Sequence, residues 1–254
     1  MGNYLSSPVE EAVFPKNRPP HDENNLRAHN FESPENGHYA VSHGEAIQPK
    51  GPILACFHGN LETTSNSLPH WLFAKKHFRA LIGFEYPGYG KRSEEVASER
   101  AIKSAIPDWI QTLKMYELTG KVFSCGRSLG SFAAIQFAVA LGEDCKGIVL
   151  VSPMLTAVAT KVSYPWYRFL APVDLLDNET AVRKLSPRVP VLILHGEKDA
   201  VVPQWNSEAL EQALRDNGNA VTRKVVEGRG HNDVMTVVKD DINQFIETVS
   251  KTIN

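Results

Sequence analysis

After Pro52 the chain alternates short apolar segments with segments of helical periodicity, and this pattern is the strongest constraint on its fold. The short segments are apolar on both strand faces, which is typical of parallel strands covered on both sides. The alternation predicts a doubly wound, mostly parallel α/β sheet with right-handed crossovers. The predicted strands are Ile53–Phe57, Leu81–Phe84, Lys121–Cys125, Ile148–Val151, Val191–Leu194 and Lys224–Val226.

Three helices are predicted between or after these strands. Residues Ile102–Leu113 carry an apolar stripe, and Pro107 inside it is expected to kink or interrupt the helix. A second helix, Phe132–Val139, follows the third strand, and a third covers Val234–Val249. The sequence shows no internal repeat and no second domain boundary, so residues 26–254 are expected to form one domain.

The first 25 residues differ in kind from the rest. They are poor in apolar side chains and contain four prolines, which predicts a flexible arm. Beyond them, Asn36-Gly37 favours a tight turn because both residues tolerate positive φ. With apolar residues on either side of that turn, we predict an antiparallel hairpin over about residues 26–46.

Composition excludes several classes of protein. Lys and Arg number 27 against 29 Asp and Glu, a net charge of −2, which excludes a strongly basic nucleic-acid surface. Three cysteines are too few for a disulfide framework or a zinc site. There is no apolar run of membrane-spanning length and no secretory signal pattern. We therefore expect a cytoplasmic protein that binds neither nucleic acid nor metal and needs no cofactor.

The sequence Gly126-Arg127-Ser128-Leu129-Gly130 fits the G-x-S-x-G pattern of a nucleophile elbow. It follows an apolar strand and opens a helix, as a strained turn that exposes a reactive serine requires. The alternative is an ordinary serine at a helix N-terminus. Arg127 could contact an anionic substrate group or form a surface ion pair.

A serine nucleophile needs a base and an acid, which in such a fold follow in the order serine, acid, histidine. His231 lies between the last strand and the last helix, and Asp199 follows the fifth strand. Glu197 is the nearest rival acid, and Asp174, Asp177 and Asp233 are weaker ones. His58 and His195 are interpreted as structural, and a surface-loop role is the alternative for His231. The predicted oxyanion hole uses the backbone N–H groups of Asn60 and Leu129.

These motifs together resemble the α/β-hydrolase superfamily. They are His58-Gly59-Asn60, Tyr86-Pro87-Gly88-Tyr89-Gly90, the elbow, Ser152-Pro153-Met154, His195-Gly196-Glu197-Lys198-Asp199 and Gly230-His231-Asn232-Asp233. Two of these motifs, Ser152-Pro153-Met154 and Gly230-His231-Asn232-Asp233, are similar to motifs of the α/β-hydrolase-domain depalmitoylases. The resemblance implies the α/β-hydrolase fold over about residues 26–250 and removal of S-acyl chains from cytosolic membrane proteins.

One departure concerns membrane attachment. The resemblance implies an N-terminal cluster of palmitoylated cysteines, but no cysteine precedes Cys56. Residues 1–6 instead fit the myristoylation pattern, with Gly2 as the acceptor. A single myristoyl chain binds membranes weakly, and residues 1–25 contain two basic against four acidic residues. We therefore expect transient residence at the cytosolic face of a membrane.

Residues 153–187 are expected to form a short lid over Ser128. Its apolar and aromatic residues suit an acyl-chain pocket, and packing of the lid itself is the alternative. The predicted pocket residues are Met154, Leu155, Tyr164, Trp166, Tyr167 and Phe169. The resulting hypothesis is a serine hydrolase acting on an acylated protein or a small acyl ester. A serine peptidase, a lipid esterase and a non-catalytic binding module are the alternatives.

Overall fold

The computed structural model describes residues 13–14, 20, 22–28, 39–42, 51–115, 117–118, 120–163, 166–173 and 175–252. Seven strands lie within these ranges and form one sheet. They are β1 (Tyr39–Ser42), β2 (Ile53–Phe57), β3 (Ala80–Gly83), β4 (Val122–Arg127), β5 (Cys145–Val151), β6 (Val191–Gly196) and β7 (Val221–Val226). Their spatial order is β1-β3-β2-β4-β5-β6-β7.

All pairs in the sheet are parallel except β1 with β3, which confirms the doubly wound, mostly parallel prediction. The described residues do not form the antiparallel hairpin predicted over residues 26–46. Residues Glu23–Ala28 are helical, and β1 pairs antiparallel with β3, placing Tyr39 opposite Gly83. The predicted turn at Asn36-Gly37 lies outside the described residues.

The helices alternate with the strands. The α-helices are α1 (Glu23–Ala28), α2 (Thr64–Ser67), α3 (Glu99–Met115), α4 (Gly130–Leu141), α5 (Asn178–Val182), α6 (Trp205–Asp216) and α7 (Lys239–Thr252). The 3₁₀ segments are Leu68–His77, Gly90–Arg92, Gly142–Asp144, Val158–Thr160, Trp166–Val173 and Val234–Thr236. No described helix is both long enough and apolar enough to cross a bilayer.

Two helix predictions need correction. Helix α3 continues through Pro107, so of the two expected effects, a kink or an interruption, the interruption is wrong. The predicted C-terminal helix begins later than expected, because residues Val234–Thr236 form a separate 3₁₀ turn before α7 starts at Lys239.

The core lies on both faces of the sheet, as buried parallel strands require. Along β2, Ile53, Ala55 and Phe57 pack on one side with α3, α4 and α6. Leu54 and Cys56 point to the other side, towards α7 and the 3₁₀ segment Leu68–His77. Successive side chains of a strand alternate between faces, so one apolar run supplies both halves of the core.

Some residues of the predicted N-terminal arm contact the domain. Phe14 is buried in the core, and the Val13 carbonyl accepts a hydrogen bond from Asn60 Nδ2 at 2.6 Å. The Asn25 side chain donates to the Ser65 carbonyl at 2.6 Å. The prediction of a flexible arm therefore does not apply to these residues.

Candidate active site

Ser128 lies on the turn between β4 and α4, at the carboxyl edge of the sheet. Its φ is +53°, a left-handed conformation that is unusual for a residue other than glycine. Its backbone N–H donates to the Val151 carbonyl at 3.0 Å, and its carbonyl accepts from Ser131 N–H at 2.9 Å. The turn is thus tied to β5 on one side and to α4 on the other.

The two glycines of the elbow are required by close backbone contacts. A Cβ atom on Gly126 would lie 2.5 Å from the Gly130 carbonyl carbon. A Cβ on Gly130 would lie 2.7 Å from the His58 carbonyl oxygen. Both distances are well below van der Waals contact, so α4 can start this close to β2 only without side chains at these positions.

Asp199 and His231 meet above the carboxyl ends of the strands. Asp199 Oδ2 lies 2.7 Å from His231 Nδ1, and both side chains are buried. The loop after β6 orients the carboxylate, because Oδ1 accepts from the N–H groups of Val201 (3.0 Å) and Val202 (2.8 Å). The remaining oxygen therefore faces His231 and favours the tautomer that carries a proton on Nδ1.

The environment of Asp199 keeps it ionised at neutral pH. Burial alone raises the pKa of its carboxyl group, since a charge is poorly solvated there. Hydrogen bonds from His195 and His231, and from the backbone of Val202, outweigh this effect and hold the pKa well below its ordinary value. Asp199 can therefore stabilise a positive charge on His231.

The candidate nucleophile and the candidate base are not hydrogen-bonded to each other. Within the described residues, the Ser128 hydroxyl makes no hydrogen bond to His231. Arg127, the neighbour of Ser128, does contact this histidine, with Nη2 lying 3.0 Å from the His231 carbonyl oxygen. Hydrogen bonds between a nucleophile and its base are often long without substrate and tighten when substrate binds.

The loop after β2 places Asn60 beside the elbow, as the oxyanion-hole prediction requires. Asn60 and Leu129 line the same cavity as Ser128. The Asn60 side chain is held from two sides, because Oδ1 accepts from the Tyr89 hydroxyl at 2.8 Å and Nδ2 donates to Val13. This loop is therefore fixed by side-chain contacts as well as by its backbone.

His58 has the structural surroundings expected for it. Its Nδ1 contacts the carbonyl of Gly59 at 2.9 Å, within its own turn. Its Nε2 lies 2.8 Å from Glu85 Oε1, and both side chains are buried. The ring also stacks on Tyr86, whose hydroxyl donates to the His58 carbonyl. These contacts hold the start of the Asn60 loop.

His195 is buried, and it has a further role that sequence reasoning missed. Its Nε2 donates to the Val202 carbonyl at 2.9 Å and lies 3.3 Å from Asp199 Oδ2. His195 is therefore a second imidazole at the candidate acid. Its position at the carboxyl end of β6, four residues before Asp199, was the signal that could have indicated this contact.

The rival acids lie elsewhere. Glu197 is exposed and accepts from the Gly228 N–H group. Asp177 caps α5 by accepting from Thr180 N–H. Asp233 accepts from Gly230 N–H at 2.7 Å and thus holds the loop that carries His231. Asp174 lies outside the described residues, so Asp199 is the acid that the described structure brings to His231.

A cavity of about 510 Å³ opens over Ser128. The segment 153–187 and the loop after Asp199 supply most of its walls, and the walls are mainly apolar. The lining includes Val13, Met154, Ala157, Val158, Thr160, Lys161, Val162, Leu170, Leu176, Val201 and Val202. Its position and lining suit a substrate with an apolar chain next to a reactive carbonyl.

Among the predicted pocket residues that the structure describes, only Met154 lines this cavity. Leu155 is fully buried in the core, and Tyr167 packs on Trp205. Trp166 and Phe169 point to solvent and are 63% and 75% exposed. Tyr164 lies outside the described residues. Composition alone could not separate these cases, because the orientation of the 3₁₀ segment Trp166–Val173 decides which side chains face the cavity.

Within the part of the chain that the structure describes, no group of three or more His, Cys, Asp or Glu side chains could hold a metal ion. The three cysteines are buried and unpaired, and burial raises the pKa of the Cys145 thiol to about 12. The described groups at this edge of the sheet include the Ser128 hydroxyl, the His231 imidazole and the Asp199 carboxylate.

Comparison with known proteins identifies the family of this chain. Residues 105–251 match the model of the prolyl oligopeptidase family. The α/β hydrolase domain-containing protein 17C of Xenopus tropicalis is 25% identical over 169 residues, which cover 65% of this chain and 52% of that protein. The chain thus spans about half the length of this curated relative.

Two solved structures share the fold. TT1662 from Thermus thermophilus has a TM-score of 0.63 at 22% identity, covering 84% of this chain and 93% of its own. A carboxyl esterase from Bacillus coagulans has a TM-score of 0.65 at 14% identity, covering 87% and 97%. At these identities the likeness shows the fold alone. Together, the family match and the shared fold show that the chain belongs to the prolyl oligopeptidase family within the α/β-hydrolase superfamily.

Proposed function

We propose that this protein is a serine hydrolase that cleaves acyl esters or thioesters through Ser128, His231 and Asp199. The observation that carries the proposal is the hydrogen bond between His231 and the ionised Asp199, beside an elbow serine held at positive φ. His231 removes the proton from Ser128 as the hydroxyl attacks the carbonyl carbon. It then returns the proton to the leaving group, and water releases the acid from the acyl-enzyme.

The oxyanion of each tetrahedral intermediate would lie between the backbone N–H groups of Asn60 and Leu129. Such donors are effective because they point to the developing charge before the reaction starts. Leu129 is the residue after the nucleophile, and Asn60 is fixed by Tyr89 and Val13. This arrangement supports acyl transfer but does not by itself select esters, thioesters or amides.

The apolar cavity supports an acyl chain as the substrate group. We propose that this chain is the S-acyl group of a membrane-associated protein, in line with the resemblance to the depalmitoylases. A thiolate leaves readily without protonation, so a thioester makes little demand on His231 as an acid. Peptidase activity is the second candidate, because the matching family is named after oligopeptidases.

Acyl chain length provides a direct test of the cavity. We expect kcat/KM for acyl thioesters to rise about fourfold for each added methylene group until the cavity is full, since burying a methylene contributes about 0.8 kcal/mol. The variant Val162→Phe, which narrows the cavity, should shift the optimum to shorter chains. Val96→Phe is the matched control, because Val96 is 79% exposed and lies outside the cavity lining.

The outcome also separates the two candidate functions. Rates that do not depend on chain length would contradict an acyl pocket at this position. Faster cleavage of peptide amides than of matched thioesters would favour the peptidase. Both measurements use the same purified protein, so they do not depend on a membrane.

We further propose a transient location at the cytosolic face of a membrane. The support is the myristoylation pattern at Gly2, which lies outside the described residues, and the exposure of Trp166 and Phe169. Leu170 of the same 3₁₀ segment lines the cavity, so this segment carries both a cavity residue and the exposed aromatic side chains. Aromatic residues are common where a protein surface meets a lipid headgroup layer.

The variant Gly2→Ala should abolish acylation and shift most of the membrane-associated protein to the soluble fraction. A single myristoyl chain contributes an association constant of about 10⁴ M⁻¹, and the variant removes all of it. Fractionation of cells fed with a labelled myristate analogue measures both effects. Ser7→Ala, outside the pattern, is the control. Unchanged partitioning of Gly2→Ala would show that the anchor is absent or lies elsewhere.

A further inference from the structure

Arg127 connects the loops that carry the candidate catalytic groups. Its Nη2 atom donates to the His231 carbonyl at 3.0 Å and to Asn232 Oδ1 at 2.8 Å. Its Nη1 atom forms an ion pair with Glu62. Arg127 itself directly precedes Ser128, so its side chain runs from the nucleophile's own turn to the turn of the candidate base.

Glu62 extends this connection to the third loop. Its Oε2 atom accepts a hydrogen bond from the Gly59 N–H group at 2.6 Å, next to Asn60. A continuous path of hydrogen bonds therefore runs from the Asn60 loop through Glu62 and Arg127 to His231. The residues involved are up to 172 positions apart in the sequence, between Gly59 and His231.

The pair is more than a surface ion pair. The Arg127 and Glu62 side chains are only 11% and 21% exposed. Exposed pairs contribute about 0–1 kcal/mol, whereas charged hydrogen bonds in sheltered positions are stronger and more directional. The forked, planar guanidinium group suits contacts with several acceptors at once, which the single ammonium group of lysine does less well.

We propose that Arg127 is a positioning residue that holds the His231 loop and the Asn60 loop in register with Ser128. The inference rests on the proposed function. Arg127 acts through these loops and does not contact the reacting atoms. Because misplacing a reacting group by about 1 Å can cost about 10²-fold in rate, loss of this connection should act on kcat more than on substrate binding.

The test compares Arg127→Gln with wild-type protein, using a chromogenic acyl ester and a fluorophosphonate probe that counts intact active sites. We expect kcat per labelled site to fall about 10–100-fold, with KM within about threefold of wild type. Arg127→Lys should recover only a minor part of the loss. Arg188→Gln is the matched control, because Arg188 is 82% exposed and pairs with Glu143 at the other end of the sheet.

A merely structural role would have a different signature. It would lower the melting temperature and the number of labelled sites but leave kcat per labelled site within about twofold of wild type, and that result would overturn the proposal. In a double-mutant cycle, Arg127→Gln and Asn232→Ala should be strongly non-additive in kcat, because both break one connection. Additive effects would overturn the proposed path through Asn232.

Failure of the proposed function can be distinguished from failure of this inference. Wild-type protein that neither labels nor hydrolyses acyl esters would overturn both. Wild-type protein that does both, together with an Arg127→Gln protein of unchanged rate per site, would overturn only the positioning role.

Discussion

Replacing Ser128 with alanine is expected to abolish fluorophosphonate labelling and to lower acyl-ester hydrolysis by at least about 10⁴-fold. The reason is chemical, since no acyl-enzyme can form without the hydroxyl group. Residual hydrolysis would come only from substrate binding and the oxyanion donors. Labelling by gel fluorescence and turnover of a chromogenic ester measure the two effects.

The Ser128→Ala variant should remain folded. The backbone contacts of the elbow involve the N–H group and the carbonyl of residue 128, and both persist in alanine. Its melting temperature is therefore expected to stay close to that of wild type. Ser93→Ala, at an exposed serine, is the control for labelling. Persistent labelling of a folded Ser128→Ala protein would show that another residue is the nucleophile.

Asp199→Asn is expected to lower kcat by about 10⁴-fold while the protein stays folded. An amide group at this position can present its N–H to His231 Nδ1, which stabilises the wrong tautomer of the imidazole. The neutral side chain also no longer stabilises the charge that His231 gains during the reaction. Steady-state kinetics with an acyl ester near pH 7 measures the effect.

Glu197→Gln is the matched control for Asp199, because Glu197 is two residues away, exposed and not in contact with His231. Its kcat should stay within about twofold of wild type, because the position is exposed and the glutamine side-chain oxygen can still accept the hydrogen bond from Gly228 N–H. A large loss in Glu197→Gln with little loss in Asp199→Asn would reassign the acid.

The lowered pKa of Asp199 also gives a stability prediction with a definite sign. A carboxyl group with a depressed pKa in the folded state stabilises the protein above its ordinary pKa and loses this contribution as the pH falls. The difference in unfolding free energy between wild type and Asp199→Asn should therefore contain the full contribution of Asp199 only above the ordinary pKa of aspartate. It should shrink below about pH 4, near the ordinary pKa of aspartate.

The parallel strands were predictable because their signal is local. The strand Val191–Gly196 is buried on both faces, so its first four residues are all apolar and this run is visible in the sequence. The edge strand Tyr39–Ser42 was different. A turn signal at Asn36-Gly37 indicated a hairpin, but the partner of an edge strand depends on which strand offers free backbone groups, and here that strand is Ala80–Gly83.

The pocket was the least predictable part of the candidate site. Met154 lines the cavity, whereas Trp166 and Phe169 face solvent. Leu170 and Leu176, two further apolar residues of the same segment, also line the cavity. Aromatic and apolar residues in such a segment pack inwards or outwards according to the rotation of a short 3₁₀ segment. That rotation is set by its contacts with the domain and not by its composition.

The sequence by itself determined the sheet class, the serine elbow and the order in which Ser128, Asp199 and His231 follow the strands. Each of these features follows from a few consecutive residues of the sequence. The reason is that backbone geometry limits which residues can form a buried strand or a tight strand-to-helix turn. Only the tertiary structure decided that His195 also contacts Asp199, and that Glu62 and Arg127 join three loops. Such contacts link residues far apart in the chain, and they form only when the parallel strands bring their carboxyl ends to one edge of the sheet.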